Sequence, residues 1–144
     1  MLESLKLTGH VKIWQEGKLI CDSRNRIVDT GLELIARLLL AEEGAKLPSL
    51  FKLGDSAALS TQAMTGLQGA TLVSCPATAE RRVNVLSWSG SFTYAQANQV
   101  TCRELGLFNE EEPEVMLARF LPVQQFVLQN GTPVKINWEI IIGE

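Results

Sequence analysis

The side chains that could carry out catalysis form none of the usual catalytic groupings in this sequence. The single histidine, His10, falls on the polar side of a predicted strand, with no carboxylate or thiol at a motif spacing, so we interpret it as a surface residue. The three cysteines, Cys21, Cys75 and Cys102, are far apart and lack a C-x-x-C spacing. We expect buried free thiols, with an inter-subunit disulfide as the alternative if one of them is exposed.

No metal-binding or phosphate-binding motif stands out. Residues 66–69 read Gly-Leu-Gln-Gly, which has neither the GxGxxG nor the phosphate-loop spacing and precedes a predicted strand instead of a helix. Histidine, cysteine and carboxylate residues do not cluster at ligand spacings. We therefore predict a non-enzymatic protein with no cofactor and no metal ion.

One charged pair, Arg103–Glu104, lies inside an apolar stretch at residues 100–108. Neighbouring residues of a strand point to opposite faces, so these two side chains cannot easily pair with each other, and each needs a partner elsewhere. An ion pair with another strand, or a contact with another subunit, explains them better than acid–base catalysis does.

Two further features are typical of protein contacts. The acidic run at residues 110–114 is either a solvated hairpin tip or a docking site for a basic neighbour. Trp14 falls on the polar face of its predicted strand, where an exposed tryptophan is often an interface anchor. The candidate subunit-contact residues are therefore Trp14, Arg103, Glu104, Glu110, Glu111 and Glu112.

Length and charge limit the classes of protein that fit. The chain of 144 residues predicts one domain, residues 1–144, which can bury roughly 68–70% of its unfolded surface. Its net charge is −3 and its basic residues form no stripe, so we expect no nucleic-acid partner. No apolar run approaches the length of a transmembrane helix, so we expect no membrane contact.

One helix is predicted, near residues 30–42. Thr30 stands where an N-cap is expected, and Glu33 completes a capping box and forms an i,i+4 pair with Arg37. Gly44 can adopt the left-handed conformation after the helix. The helix is apolar nearly all round, which predicts that a sheet or a neighbouring subunit covers most of it.

The remaining sequence alternates as strands do. A hairpin is predicted around Glu16-Gly17, a central strand over 100–109, a tight turn at Ser89-Gly90, and a half-buried strand over 134–142. We predict a mainly β fold: a single-domain antiparallel β-sandwich or barrel-like fold with one inserted α-helix. The polar segment 56–69 is predicted to be a functional loop or surface arm.

The order of these features resembles a family of small bacteriophage virion proteins, described as tail-fibre or tail-collar-like. The second half of that family is similar to the N-terminal domain of fibres of contractile-tailed phages. The most specific part of the resemblance is Arg-Glu-x-Gly-Leu-Phe at residues 103–108, followed by Leu-Ala-Arg at 117–119. No shaft or receptor-binding domain follows Glu144, so the expectation is an attachment module or a separate component of the particle.

The resemblance implies a virion structural protein, assembled in the host cytoplasm, that packs with itself, for instance as a trimer, and with other phage structural proteins. A tail or baseplate fibre-attachment component is the first expectation, and a capsid cement or decoration protein is the alternative. A third is a carbohydrate-binding module that stacks sugars on Trp14, Trp88 or Tyr94. Loop 56–69 and the Met1–Ser4 end are the expected contacts with neighbours, so truncating the loop should leave folding intact.

Overall fold

The structure is a computed structural model that describes residues 6–143. The predicted contacts at Met1–Ser4 therefore lie outside the described residues. In chain order the elements are β1 (Leu7–Gln15), β2 (Lys18–Arg24), β3 (Arg26–Ile27), α1 (Asp29–Leu39), β4 (Leu50–Gly54), β5 (Thr71–Pro76), β6 (Thr78–Arg82), β7 (Val85–Thr93), β8 (Val100–Cys102), β9 (Glu104–Phe108), β10 (Met116–Phe120), β11 (Phe126–Leu128) and β12 (Pro133–Ile142).

The strands form a sandwich of two five-stranded antiparallel sheets and a separate two-stranded ribbon. Sheet A has the order β2-β1-β12-β7-β6, sheet B has the order β3-β10-β9-β4-β5, and the ribbon pairs β11 with β8. The mainly β, sandwich-like fold with one helix is thus confirmed. The β1–β2 hairpin is also present, and Glu16 and Gly17 both have positive φ, as a two-residue hairpin turn requires.

The main core fills the space between sheets A and B. Trp138 of β12 is fully buried there, stacked on Phe51 with ring centroids 6.3 Å apart and edge-on to Phe120 at 6.5 Å. The predicted alternation over residues 134–142 is what places this tryptophan on the inner face.

Sheet B is covered on both of its faces. All five residues of β9 and all five of β10 are buried. One face meets sheet A, and the other lies under α1 and the loop at residues 56–69. The predicted central strand is therefore real, but the stretch 100–109 holds two strands, since the chain passes from the ribbon into sheet B at Arg103.

The start of the helix differs from the prediction. The N-cap is Val28, which makes no side-chain cap, and Thr30 lies within the first turn. The Thr30 hydroxyl donates instead to the carbonyl oxygen of Met116 at 2.8 Å, so the predicted capping box is wrong. The helix ends at Leu39, and Ala41, whose φ is +49°, adopts the left-handed conformation before Gly44 does.

Helix α1 packs closely on sheet B along one side only. A Cβ atom at Gly31 would lie 2.0 Å from the carbonyl oxygen of Leu117, so glycine permits backbone contact between helix and sheet. Leu34 is fully buried on this side, whereas Leu39 and Leu40 are 80% and 82% exposed. Within residues 6–143 only this side of the helix is covered, by sheet B, and cover of the remaining side by a neighbouring subunit stays a prediction.

The tight turn predicted at Ser89-Gly90 is also wrong. Both residues lie inside β7, which runs unbroken from Val85 to Thr93. Gly90 is needed for packing, because a Cβ atom there would lie 3.1 Å from the Phe51 ring and closer still to the backbone of Pro76. The actual turn is at Val83 and Asn84, between β6 and β7.

Candidate functional site

A buried ion pair lies on the face of sheet B that is turned away from sheet A. The Arg119 Nη2 atom is 3.0 Å from Glu104 Oε1, and both side chains are fully buried. Arg119 lies opposite Gly106 in the β9–β10 register, so Glu104, two residues earlier, shares its face. The ion pair to another strand that was predicted for Glu104 is therefore found within the chain.

The Glu104 carboxylate also holds the loop at residues 56–69. It accepts hydrogen bonds from the backbone N–H groups of Ser56 at 3.0 Å, Gln68 at 2.8 Å and Gly69 at 2.8 Å. These donors belong to the two ends of the loop, so one carboxylate fastens both ends to sheet B.

Arg119 binds the first half of the same loop. Its guanidinium donates to the carbonyl oxygens of Ala58 at 2.6 Å and Ser56 at 3.2 Å, and to the Ser60 hydroxyl at 2.9 Å. Burial of an ion pair is tolerated when such bonds satisfy its remaining atoms. The loop is thus bound to the fold, and its truncation would remove hydrogen-bond partners from a buried ion pair, so the prediction that truncation leaves folding intact is now the less favoured one.

The two segments that carry the family resemblance are adjacent in space. Residues 103–108 contain β9 and residues 117–119 lie in β10, the strand paired with it. A Cβ atom at Gly106 would lie within 3.1 Å of both the Phe108 ring and the Leu67 side chain. Gly106 therefore makes room for a ring of its own strand and for the loop, to which the three atoms nearest that Cβ belong.

Arg103 points away from Glu104, as strand geometry predicts. Its side chain is half-buried and donates to the Gln125 side chain at 3.3 Å and to the carbonyl oxygen of Asp55 at 3.5 Å. Its role as a subunit contact stays a prediction.

The glutamates of the acidic run at residues 110–114 differ in their contacts. Glu111 binds Arg37 of α1 with both carboxylate oxygens at 3.0 Å, and it accepts from the Asn109 side chain at 2.6 Å. The sequence predicts a pair between Arg37 and Glu33, and this prediction is wrong, because Arg37 pairs with Glu111 instead. Glu110 and Glu112 are exposed and remain candidate contacts.

The ion pair of Glu111 with Arg37 makes the free energy of unfolding depend on pH. The hydrogen bonds from Arg37 lower the pKa of Glu111 below its ordinary value of 4.5, so its stabilisation is complete above that pH and is lost as the pH falls further. We expect Glu111→Gln to lower the free energy of unfolding near neutral pH, with the difference from wild type shrinking below pH 4.5. Urea unfolding across the pH range measures this.

Glu112→Gln is the matched control, since its side chain is exposed beside Glu111. It should change the unfolding free energy by less than about 0.5 kcal/mol. A Glu111→Gln effect that stayed constant down to strongly acid pH would contradict the assignment of the ion pair.

Trp14 lines a shallow cleft of about 570 Å³ on the outer face of sheet A. It is half-buried, and Lys135 Nζ lies 5.3 Å from its ring centroid. Trp88 and Tyr94 are only 3% and 5% exposed, and the Trp88 indole donates to the carbonyl oxygen of Pro48 at 2.9 Å. Two of the three proposed sugar-stacking platforms are therefore inside the core.

The outward side of α1 carries the leucines that the fold leaves uncovered. Leu32, Leu39 and Leu40 follow helical spacing and are 45%, 80% and 82% exposed. Leu47, beyond the helix, is 60% exposed. We call this region, with the exposed carboxylates near it, the acidic face; its members are Leu32, Leu39, Leu40, Leu47, Asp29, Glu33, Glu42, Glu43, Glu110 and Glu112.

Within residues 6–143 no three histidine, cysteine or carboxylate side chains come together as metal ligands, and no helix there is long and apolar enough to cross a membrane. No known protein family, curated protein or solved structure matches this chain. Burial raises the pKa of Cys21 to about 11 and that of Cys102 to about 12, which keeps these free thiols protonated.

Proposed function

We propose that this chain is a non-enzymatic structural protein of a bacteriophage particle that packs as an oligomer, as a fibre-attachment component of the tail or baseplate. The observation that carries the proposal is the adjacency of the two resemblance segments. Residues 103–108 and 117–119 are separated in sequence, yet they lie in paired strands, and their charged residues Glu104 and Arg119 form the buried ion pair. The segments behave as one structural unit.

That unit gives the chain the rigidity that an attachment module needs. Six hydrogen bonds join the loop to the ion pair, three accepted by Glu104 and three donated by Arg119. The loop in turn packs its apolar residues Met64 and Leu67 beside Phe108. A protein whose surface loop is fixed to its sheet in this way can hold a neighbouring subunit of the particle in a fixed orientation.

The acidic face supplies a surface for such a neighbour. Contiguous exposed apolar groups are uncommon on monomeric proteins and often mark protein–protein contacts. Here the exposed leucines project from a helix whose other side is fixed by backbone contact at Gly31, so the face cannot easily turn inward.

Purified particles test the proposal. Particles from a host that encodes this chain should retain it through a density gradient and a high-salt wash, and quantitative mass spectrometry should give a fixed copy number relative to the major capsid protein. A soluble host protein of similar abundance is the control. Recovery of the chain only in the soluble fraction would contradict the proposal.

A further inference from the structure

The hairpin of β6 and β7 ends in an exposed basic tip. All five residues of β6 are exposed, and β6 pairs only with β7 in the described part of the chain. Arg81 and Arg82 stand next to Val83, which is 80% exposed with a φ of +55°. Glu80 and Glu139 line the same shallow cleft as the two arginines but form no ion pair with them within residues 6–143, and the Arg81 guanidinium donates only to the Val83 carbonyl oxygen at 3.1 Å. The basic tip is therefore the hairpin end itself, residues 81–84, which carries two positive charges.

The acidic face has the opposite charge and a matching apolar centre. None of its six carboxylates is ion-paired within residues 6–143. The nearby cations are fewer than the carboxylates: Arg37 is neutralised by Glu111, Lys46 is a single exposed lysine, and Arg26 lines a cleft beside Leu32 at one end of the face. Exposed leucines at the centre of the face can accept an apolar side chain such as Val83.

From this complementarity we propose that the protein self-assembles head to tail, the basic tip of one copy docking on the acidic face of the next. The proposal rests on the proposed function, which includes packing of the chain with itself. It adds which two surfaces meet and how the charges are arranged between them.

The positions of the two surfaces suit this arrangement. The basic tip belongs to β6, the edge strand of sheet A that follows directly from β5, an edge strand of sheet B. Helix α1 packs on β10, beside the opposite edge of sheet B. Each copy therefore offers the basic tip and the helical part of the acidic face at opposite edges, while Leu47 lies between them, next to Pro48, whose carbonyl oxygen accepts from Trp88 of β7. Such a heterologous contact closes into a ring when the rotation between neighbours allows it.

Charge reversal tests the contact without requiring both surfaces to change in one chain. One variant carries Arg81→Glu with Arg82→Glu, and the other carries Glu42→Arg with Glu43→Arg. Sedimentation at low ionic strength should show wild type as an oligomer, whereas each variant alone should need at least a tenfold higher concentration to associate. An equimolar mixture of the two variants should associate like wild type, since every contact in an alternating assembly is again between opposite charges.

The control is Lys12→Glu with Lys18→Glu, on the exposed β1–β2 hairpin, which should associate like wild type. Added salt should weaken the wild-type assembly, because exposed charges are screened within about 10 Å at 0.1 M salt. The proposal is overturned if either variant alone associates like wild type, if the mixture stays monomeric, or if wild type itself is monomeric. A monomer that is nevertheless found in particles would leave the proposed function standing and assign the acidic face to another basic particle protein.

Discussion

Replacing Glu104 by leucine is expected to lower the free energy of unfolding by about 3–5 kcal/mol, because the fully buried Arg119 guanidinium then has no counter-charge. The three backbone N–H groups of the loop that donate hydrogen bonds to Glu104 would also lose their acceptor. Urea unfolding at neutral pH, followed by fluorescence and circular dichroism, measures the change.

Arg103→Leu is the matched control. Arg103 is the adjacent residue, but its side chain is only half-buried and its contacts are with Gln125 and the Asp55 backbone, so the loss should stay below about 1 kcal/mol. In a double-mutant cycle, Glu104→Leu with Arg119→Leu should be less costly than the sum of the two single changes, with a coupling of roughly 1–3 kcal/mol. Equal effects of Glu104→Leu and Arg103→Leu, or strict additivity in the cycle, would show that the ion pair is not the source of stability.

The second large effect is expected from Gly31→Ala, with a loss of about 3 kcal/mol, at the upper end of the range for overpacking. The new methyl group would lie 2.0 Å from the Leu117 carbonyl oxygen, a backbone atom that cannot rotate away. Helix α1 would have to move off sheet B, which weakens the hydrogen bonds from Thr30 to Met116 and from the Val28 N–H to Leu117.

Gly66→Ala is the control for this change. Nothing lies within 4 Å of a Cβ atom built at Gly66, so the substitution should alter the unfolding free energy by less than about 0.5 kcal/mol. If Gly31→Ala were as mild as Gly66→Ala in a urea titration, the close contact between helix and sheet would be wrong.

Much of the sandwich follows from the period of the sequence. The alternation over residues 134–142 identifies β12, the Glu16-Gly17 turn identifies the first hairpin, and the doubly apolar stretch identifies β9 as a covered strand. Each of these signals is local, because side-chain direction along a strand depends only on counting residues.

The partner of Glu104 depends on register, which local patterns do not specify. Arg119 reaches Glu104 only through the β9–β10 pairing, and that pairing shifts by one residue between Met116 and Ala118. The one signal in the sequence was an arginine at the end of Leu-Ala-Arg, next to apolar residues on both sides.

The attachment of the loop at residues 56–69 to sheet B could not be predicted for a related reason. Its small polar side chains suggest an exposed arm, but the atoms that fix it to Glu104 are backbone N–H groups, which every sequence of this kind possesses. Thr30 was misassigned because its hydroxyl satisfies a carbonyl of the neighbouring strand instead of capping its own helix.

Immunogold electron microscopy of intact particles, with an antibody raised against this chain, tests the central claim most directly. Gold is expected at the tail or baseplate of every particle, at the position where fibres join, and no gold is expected on particles from a host lacking the gene. Gold over the head would contradict the fibre-attachment assignment and indicate a capsid cement instead. Unlabelled particles, with the antigen confined to the soluble lysate, would contradict a role in the virion altogether.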